Sequence, residues 1–138
     1  MPLIYRAMMP DGHHPAVGPE KKKLGVQIPG DLAEVAGRVA PGTGGMSVAP
    51  AWRDLPLHRI PRRLKHLEPK ASGNNQYECW KMGEGPFVAG AVAEGLSLRI
   101  DRSTHGLVEP AFAMSSREYQ ESLAATRDQW EIDQETRT

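Results

Sequence analysis

Residues 3–8 read Leu3-Ile4-Tyr5-Arg6-Ala7-Met8, and Pro10-Asp11-Gly12 follows almost at once. The apolar and aromatic side chains of this run suit burial, and the Pro-Asp-Gly triplet has turn chemistry, so the segment predicts a short strand. Arg6 interrupts it. A guanidinium facing a core must be paired, and a phosphate or carboxylate can supply the partner. The plainer alternative is an Arg that points to solvent from one strand face while its neighbours are buried.

Downstream, residues 13–30 hold several Gly and Pro and the run Lys21-Lys22-Lys23. They predict a long surface loop. Asp31 can cap a short helix through Val39, with Leu32, Val35 and Val39 on one stripe. Pro41-Gly42-Thr43-Gly44-Gly45 breaks it, and Met46-Ser47-Val48 is expected as a short strand. Pro61 suits a first helical position, with Leu64 and Leu67 as anchors of a short helix. Residues 69–76 predict a loop and residues 77–82 a strand around Trp80. Residues 83–95 are ambiguous between strand and buried loop. Leu96-Ser97-Leu98-Arg99-Ile100 alternates with period two and predicts a half-buried strand. Residues 105–114 predict another, with Pro110 confined to an edge or a strand end.

The last element carries the clearest signal. Ser115 and Glu118 have capping-box spacing. Tyr119, Leu123, Thr126 and Trp130 recur on one face of a helix, and the acidic end is expected to fray after Ile132.

Composition bounds the answer. A chain of 138 residues fits one domain, here spanning 1–138. Lys+Arg and Asp+Glu are each 17, so the net charge is zero, which argues against a protein built mainly to coat nucleic acid. Gly 14 and Pro 12 interrupt the backbone too often for long helices over most of the length. No apolar run reaches the ~18 residues of a membrane span, and no secretory signal is expected at the N-terminus. The single cysteine, Cys79, excludes an internal disulfide and cysteine-rich zinc frameworks; it is expected in the core, in a reducing compartment.

Several groups could carry chemistry. In Gly42-Thr43-Gly44-Gly45-Met46-Ser47 the glycines let backbone N–H groups approach an anion, and Ser47 can donate a hydrogen bond. It is not a P-loop, because no Gly-Lys-Ser/Thr follows, and a tight turn before a strand is the simpler account. His105 and Glu109 lie four apart and would share a strand face, about 13 Å apart along it. The His can donate a hydrogen bond, and the Glu can stabilise developing positive charge or act as a base. The alternative is a surface His and a strand-end Glu. His13, His14, His58 and His66 lack the spacing and carboxylate company of a zinc site, so no metal is expected. The basic stretch from Arg53 to His66 could hold a diphosphate or an RNA backbone, but Trp52 is its only aromatic neighbour and a solvated face is the simpler account.

Three segments occur in an order that resembles a known family. They are Leu3-Ile4-Tyr5-Arg6-Ala7, then Thr43-Gly44-Gly45-Met46-Ser47-Val48, then His105-Gly106-Leu107-Val108-Glu109-Pro110-Ala111 with Met114. Ile60-Pro61 with Leu64-Lys65 also fits. The pattern resembles the small cytotoxic effectors delivered by type VI secretion whose fold is like ADP-ribosyltransferases, with their stand-alone bacterial and fungal relatives. The resemblance is strong over these short segments, and between Pro69 and Ile100 nothing aligns.

The resemblance implies a compact α+β fold with a split antiparallel sheet, short helices and a C-terminal helix around a dinucleotide cleft. It implies NAD as the substrate. The expected cofactor-binding set is Tyr5, Arg6, Gly44, Gly45 and Ser47, with Arg6 near the phosphates or ribose and Ser47 at the strand that supports the nicotinamide ribose. The expected catalytic pair is His105, which matches a family position, and Glu109, which does not and rests on its chemistry alone. The implied partners are an unknown macromolecular acceptor and a neutralising immunity or antitoxin protein, with action in the cytosol of the producing or target cell. Two other readings stay open: a non-enzymatic binding protein on the same fold, and RNA contact through residues 53–66.

Overall fold

The first strand forms where the apolar run places it. In a computed structural model, which describes residues 1–137, β1 (Ile4–Met8) is followed by the small hairpin of β2 (Pro10–Asp11) and β3 (His14–Pro15). Then come β4 (Arg38–Val39), β5 (Met46–Val48), β6 (Glu78–Met82), β7 (Gly90–Ala93) and β8 (Leu96–Arg102). β9 (His105–Pro110), β10 (Met114–Ser115) and helix α1 (Ser116–Ala124) follow, and β11 (Glu131–Ile132) comes last. The architecture is α+β. One sheet has the order β1-β6-β11 and a second the order β5-β9-β8-β7, and every pairing within them is antiparallel.

Period-two alternation gives the first sheet two buried faces. Ile4, Met8, Trp80 and Met82 face a main core shared with Met46, Val48, Leu96, Leu98 and Val108 of the second sheet and with Tyr119 and Leu123 of α1. Ala7 and Cys79 face a smaller core of Trp52, Leu55, Ile60 and Leu64. Three 3-10 turns roof that second core: Trp52–Asp54, Leu57–Arg59 and Arg62–Leu64. Cys79 is fully buried, and burial pushes its thiol up to about 12, so it is inert filling. Trp80 donates its indole N–H to the Met8 carbonyl at 3.0 Å, which satisfies its one polar atom inside the core.

Several expectations need correction. Residues 31–39 do not form a helix. Ala36 and Gly37 have φ of +51° and +73°, and Val35 and Arg38 exchange backbone bonds of 2.9 and 3.0 Å across a tight turn. The left-handed backbone there cannot continue a helix, and Val35 ends 76% exposed while Leu32 and Val39 are buried. The loop of residues 13–30 is not wholly superficial, because Leu24 and Val26 are core residues. The short helix after Pro61 is a 3-10 turn, Arg62–Leu64, with Leu64 buried as its anchor.

The C-terminal helix is shorter than its apolar stripe. The Ser115–Glu118 capping box is present, and Tyr119 and Leu123 are buried, but α1 ends at Ala124. Thr126 and Trp130 are buried beyond it. The Thr126 hydroxyl donates to the Leu123 carbonyl at 2.7 Å and accepts the Trp130 indole N–H at 2.9 Å, so side-chain bonds hold both residues in place while the backbone continues as a 3-10 turn over Arg127–Gln129. Nor does the tail fray after Ile132. Residues 134–137 form a 3-10 turn in which Thr136 is fully buried, and Arg63 donates to its carbonyl at 2.7 Å.

Leu123→Ala is expected to lower the unfolding free energy by about 2–5 kcal/mol, whereas Ser115→Ala, which removes only the cap, should cost about 1 kcal/mol. Urea unfolding followed by tryptophan fluorescence measures both. Equal losses would contradict the assignment of Leu123 to the core and Ser115 to the helix end.

Candidate functional site

The two sheets meet at one point. Tyr5 of β1 and Ala49, just after β5, exchange backbone bonds of 2.8 and 3.0 Å, an isolated antiparallel bridge. Beyond that pair no ladder continues, and a cavity of about 250 Å³ occupies the seam. Arg6 and Ala7 line it from β1, and Ser47 and Val48 line it from β5. His58 and Arg59 close it on the roof side, Lys21 and Asp31 come from the long loop, and Arg102 and His105 come from the β8–β9 hairpin.

Arg6 bridges the seam. On its strand face it lies between Ile4 and Met8, and its residue is 6% exposed. Its Nη1 donates across to the Ser47 carbonyl at 2.8 Å. Its Nη2 donates to the carbonyls of Lys21, Lys23 and Gly25 at 2.9, 3.1 and 3.3 Å, and its Nε to Lys23 at 3.3 Å. A buried guanidinium has five N–H groups to satisfy. Here backbone carbonyls take the place of the phosphate or carboxylate that the sequence suggests, and Nη1 makes one bond among the described residues for its two protons. Burial, and then the nearby Arg59, lower the Arg6 pKa to about 10, which keeps it charged at neutral pH.

The glycine turn acts through its backbone. A Cβ on Gly44, whose φ is +125°, would sit 2.1 Å from the Asp31 carbonyl, and one on Gly45 would sit 2.5 Å from that of Val108. Their absence lets the Asp31 segment and β9 close onto the turn, where the Gly45 N–H donates to the Asp31 carbonyl at 3.0 Å. Gly44 and Gly45 therefore set the position of Asp31, a cavity wall, without lining the cavity. The Ser47 side chain is exposed at the cavity and makes no hydrogen bond among the described residues.

His105 and Glu109 share a face of β9, as their spacing requires, but only His105 reaches the cavity. The Glu109 carboxylate accepts the Gly42 N–H at 2.8 Å and pairs with Arg99 at 3.1 Å. It pins the glycine turn to the sheet. Tyr5 is likewise outside the cavity. Its side chain lies on the opposite strand face beside the smaller core, and burial, then Asp133, push its hydroxyl up to about 12. The expectations that place Glu109 and Tyr5 beside Arg6 and Ser47 are thus not met, whereas Arg6, Ser47 and His105 do line one cavity.

Several lining groups carry no clear signal in the sequence. Asp31 reads there as a helix cap, Arg59 is one of many cations in the basic stretch, and Lys21 of the long loop and Arg102 at the end of β8 have a spacing that says nothing about a site. Asp101 holds the His105 ring, with Oδ1 2.7 Å from Nδ1. Partial burial works to raise the Asp101 carboxyl, but the hydrogen bond and charge of His105 outweigh it and hold the group below the usual carboxylate range. The basic stretch itself is largely engaged. Arg63 is bound to Thr136, Tyr77 and Glu78, Arg53 lies over Trp52 and Arg59 over Tyr77.

No protein-family model, curated protein or solved structure matches the chain. No helix among the described residues is long and apolar enough to cross a membrane.

Arg6→Ala removes the donors from four carbonyls, and each one left buried and unsatisfied costs about 1–3 kcal/mol. The variant should unfold at markedly lower urea than the native chain. Arg6→Lys should recover only part of the loss, since a point ammonium cannot span both sides of the seam. A midpoint for Arg6→Ala equal to that of the native chain would contradict a bridging role.

Proposed function

We propose that this chain is an ADP-ribosyltransferase-like cytotoxin that binds NAD in the seam cavity and releases nicotinamide as the ADP-ribosyl group passes to an acceptor. The observation that carries the reading is the meeting of Arg6, Ser47 and His105 around one cavity, although they lie far apart in the chain. The charge of the lining supports it. Arg6, Lys21, Arg59 and Arg102 face Asp31 and Asp54, and four cations against two anions leave a surplus of two positive charges. That surplus suits the two charges of a diphosphate, and neutral overall charge does not oppose it, because one local cluster suffices.

The size also limits the pose. At about 250 Å³ the cavity lies just under the ~300–1,000 Å³ of typical small-molecule sites. It would enclose one half of a dinucleotide and leave the other across its mouth. In this reading the cations hold the diphosphate, Ser47 grips the nicotinamide ribose, and His105 lies where the bond to nicotinamide breaks. The antiparallel pair of sheets, joined at Tyr5 and Ala49 and open beyond, supports the reading of a split sheet. The reading brings with it a macromolecular acceptor, a neutralising immunity or antitoxin protein, and action in the cytosol, where NAD is available.

One observation favours a second reading. Glu109, the carboxylate suited by its chemistry to stabilise positive charge on the ribose, is committed to Gly42 and Arg99. A binding protein that keeps the cavity without turnover would tolerate that arrangement. RNA contact through residues 53–66 has weaker support, since Arg53, Arg59 and Arg63 are already engaged within the fold.

Incubation with NAD and chromatography of free nicotinamide tests the reading. Turnover is expected, and Ser47→Ala should weaken it about tenfold or more without moving the urea midpoint, because the side chain has no structural partner among the described residues. Expression without a neutralising partner should slow growth, and Ser47→Ala should relieve it. Intact NAD together with calorimetric binding of NAD would select the non-enzymatic reading. Intact NAD without binding would overturn both.

A further inference from the structure

We infer that Asp101 and His105 form a proton-accepting pair, with Asp101 as a positioning residue, and that the acceptor of the ADP-ribosyl group is therefore a hydroxyl. The inference rests on the NAD reading above and adds to it the chemical class of the acceptor.

The argument starts from what each atom can do. An ionised carboxylate only accepts hydrogen bonds. Asp101 Oδ1 lies 2.7 Å from His105 Nδ1, so that nitrogen carries the proton. In the neutral ring Nε2 is then left with its lone pair, and the ring lines the cavity. Nε2 has no hydrogen-bond partner among the described residues. The pair sits at the β8–β9 hairpin, where Arg102 and His105 are directly opposite in register across an irregular step. The short connection therefore places the carboxylate and the ring on one hairpin. The carboxylate also stabilises the imidazolium once the ring has taken a proton.

The carboxylates facing the cavity are not held as His105 is: Asp54 is exposed and its carboxylate has no partner among the described residues to orient it. Asp31 accepts the Gln27 N–H at 2.7 Å on one oxygen and holds Lys21 Nζ at 3.6 Å with the other, so both oxygens are engaged. Glu109 is outside the cavity. A hydroxyl is a poor nucleophile until its proton is removed, whereas a thiolate arrives already deprotonated, and a guanidinium or ammonium acceptor would meet like charge from Arg59 and Arg102. A base placed in this way serves a hydroxyl acceptor, water or an alcohol.

The step balances. The hydroxyl proton passes to His105 Nε2 as the oxygen forms its bond to the anomeric carbon of the nicotinamide ribose. The carbon–nitrogen bond breaks with its electron pair going to nicotinamide, which leaves neutral. His105 afterwards returns the proton to solvent, and no oxidant or further reactant is needed.

The experiment measures nicotinamide release from NAD by the full chain, with methanol added in a parallel series. Asp101→Asn is expected to lower kcat about a hundredfold while KM stays within about twofold, since general-base losses fall on the chemical step. Asp101→Glu should restore part of the rate. His105→Ala should lose as much as the double variant, because Asp101 acts through the ring, and added imidazole should restore turnover to it. Methanol should yield methyl ADP-ribose in the native chain, while transfer of label from NAD to cell protein that resists both thiol-specific cleavage and hydroxylamine, which releases ester and arginine linkages, would identify a macromolecular hydroxyl. A native chain that turns over NAD while Asp101→Asn keeps its kcat, or losses that add in the double variant, would overturn this inference and leave the NAD reading standing. Should Asp101→Asn fail to fold, absence of imidazole rescue in His105→Ala would overturn it equally. A native chain that leaves NAD intact would overturn both.

Discussion

The structure depends on how one buried guanidinium is satisfied. Arg6 stands on the core face of the first strand between Ile4 and Met8, where an unpaired charge would be prohibitive. Its donors reach the Ser47 carbonyl on one side and the carbonyls of Lys21, Lys23 and Gly25 on the other. It thereby ties together the two sheets and the long loop. The same arrangement explains the cavity. The sheets share a backbone bridge at Tyr5 and Ala49, and beyond it a side chain rather than a ladder spans the gap. A gap closed by a ladder would leave no room, and a gap with no bridge would leave the β5 edge and the long loop untied from the first strand at this point.

The strands are legible where alternation or a full apolar run is undisturbed. Residues 4–8, 78–82 and 96–100 carry those patterns and form those strands. The capping box at Ser115 and Glu118 is legible too, because it depends only on residues within one turn of each other. The failures share a cause, which is that helical spacing of apolar residues marks burial and not the helix itself. Leu32 and Val39 are buried from opposite sides of a tight turn, and Thr126 and Trp130 are buried past the end of α1 through hydroxyl and indole bonds. The acidic tail reads as loose in sequence. Instead Arg63, 73 residues earlier in the chain, holds its Thr136 carbonyl, a long-range contact with no local signature.

The site is legible in part. Arg6, Ser47 and His105 stand out on their chemistry and on the family resemblance, and they line one cavity. Strand parity correctly puts Glu109 on the His105 face. Parity says nothing about what a side chain meets along the strand, and Glu109 sits toward the Gly42 turn, where it holds that turn instead. The glycines suggest anion binding, and their service is close backbone packing around Asp31 and Val108. Lys21, Arg59 and Arg102 arrive from three separate segments, so no spacing rule could have joined them. Asp101 could have been found by asking which acid lies within one hairpin of His105.

The most direct measurement of the central claim is a crystal structure of the chain soaked with ADP-ribose. The account predicts the diphosphate in the seam between β1 and β5, within hydrogen-bonding reach of Arg6 Nη1 and of Arg102, with the free ribose end toward Ser47 and His105. Ligand density on any other surface, with the seam empty, would contradict it.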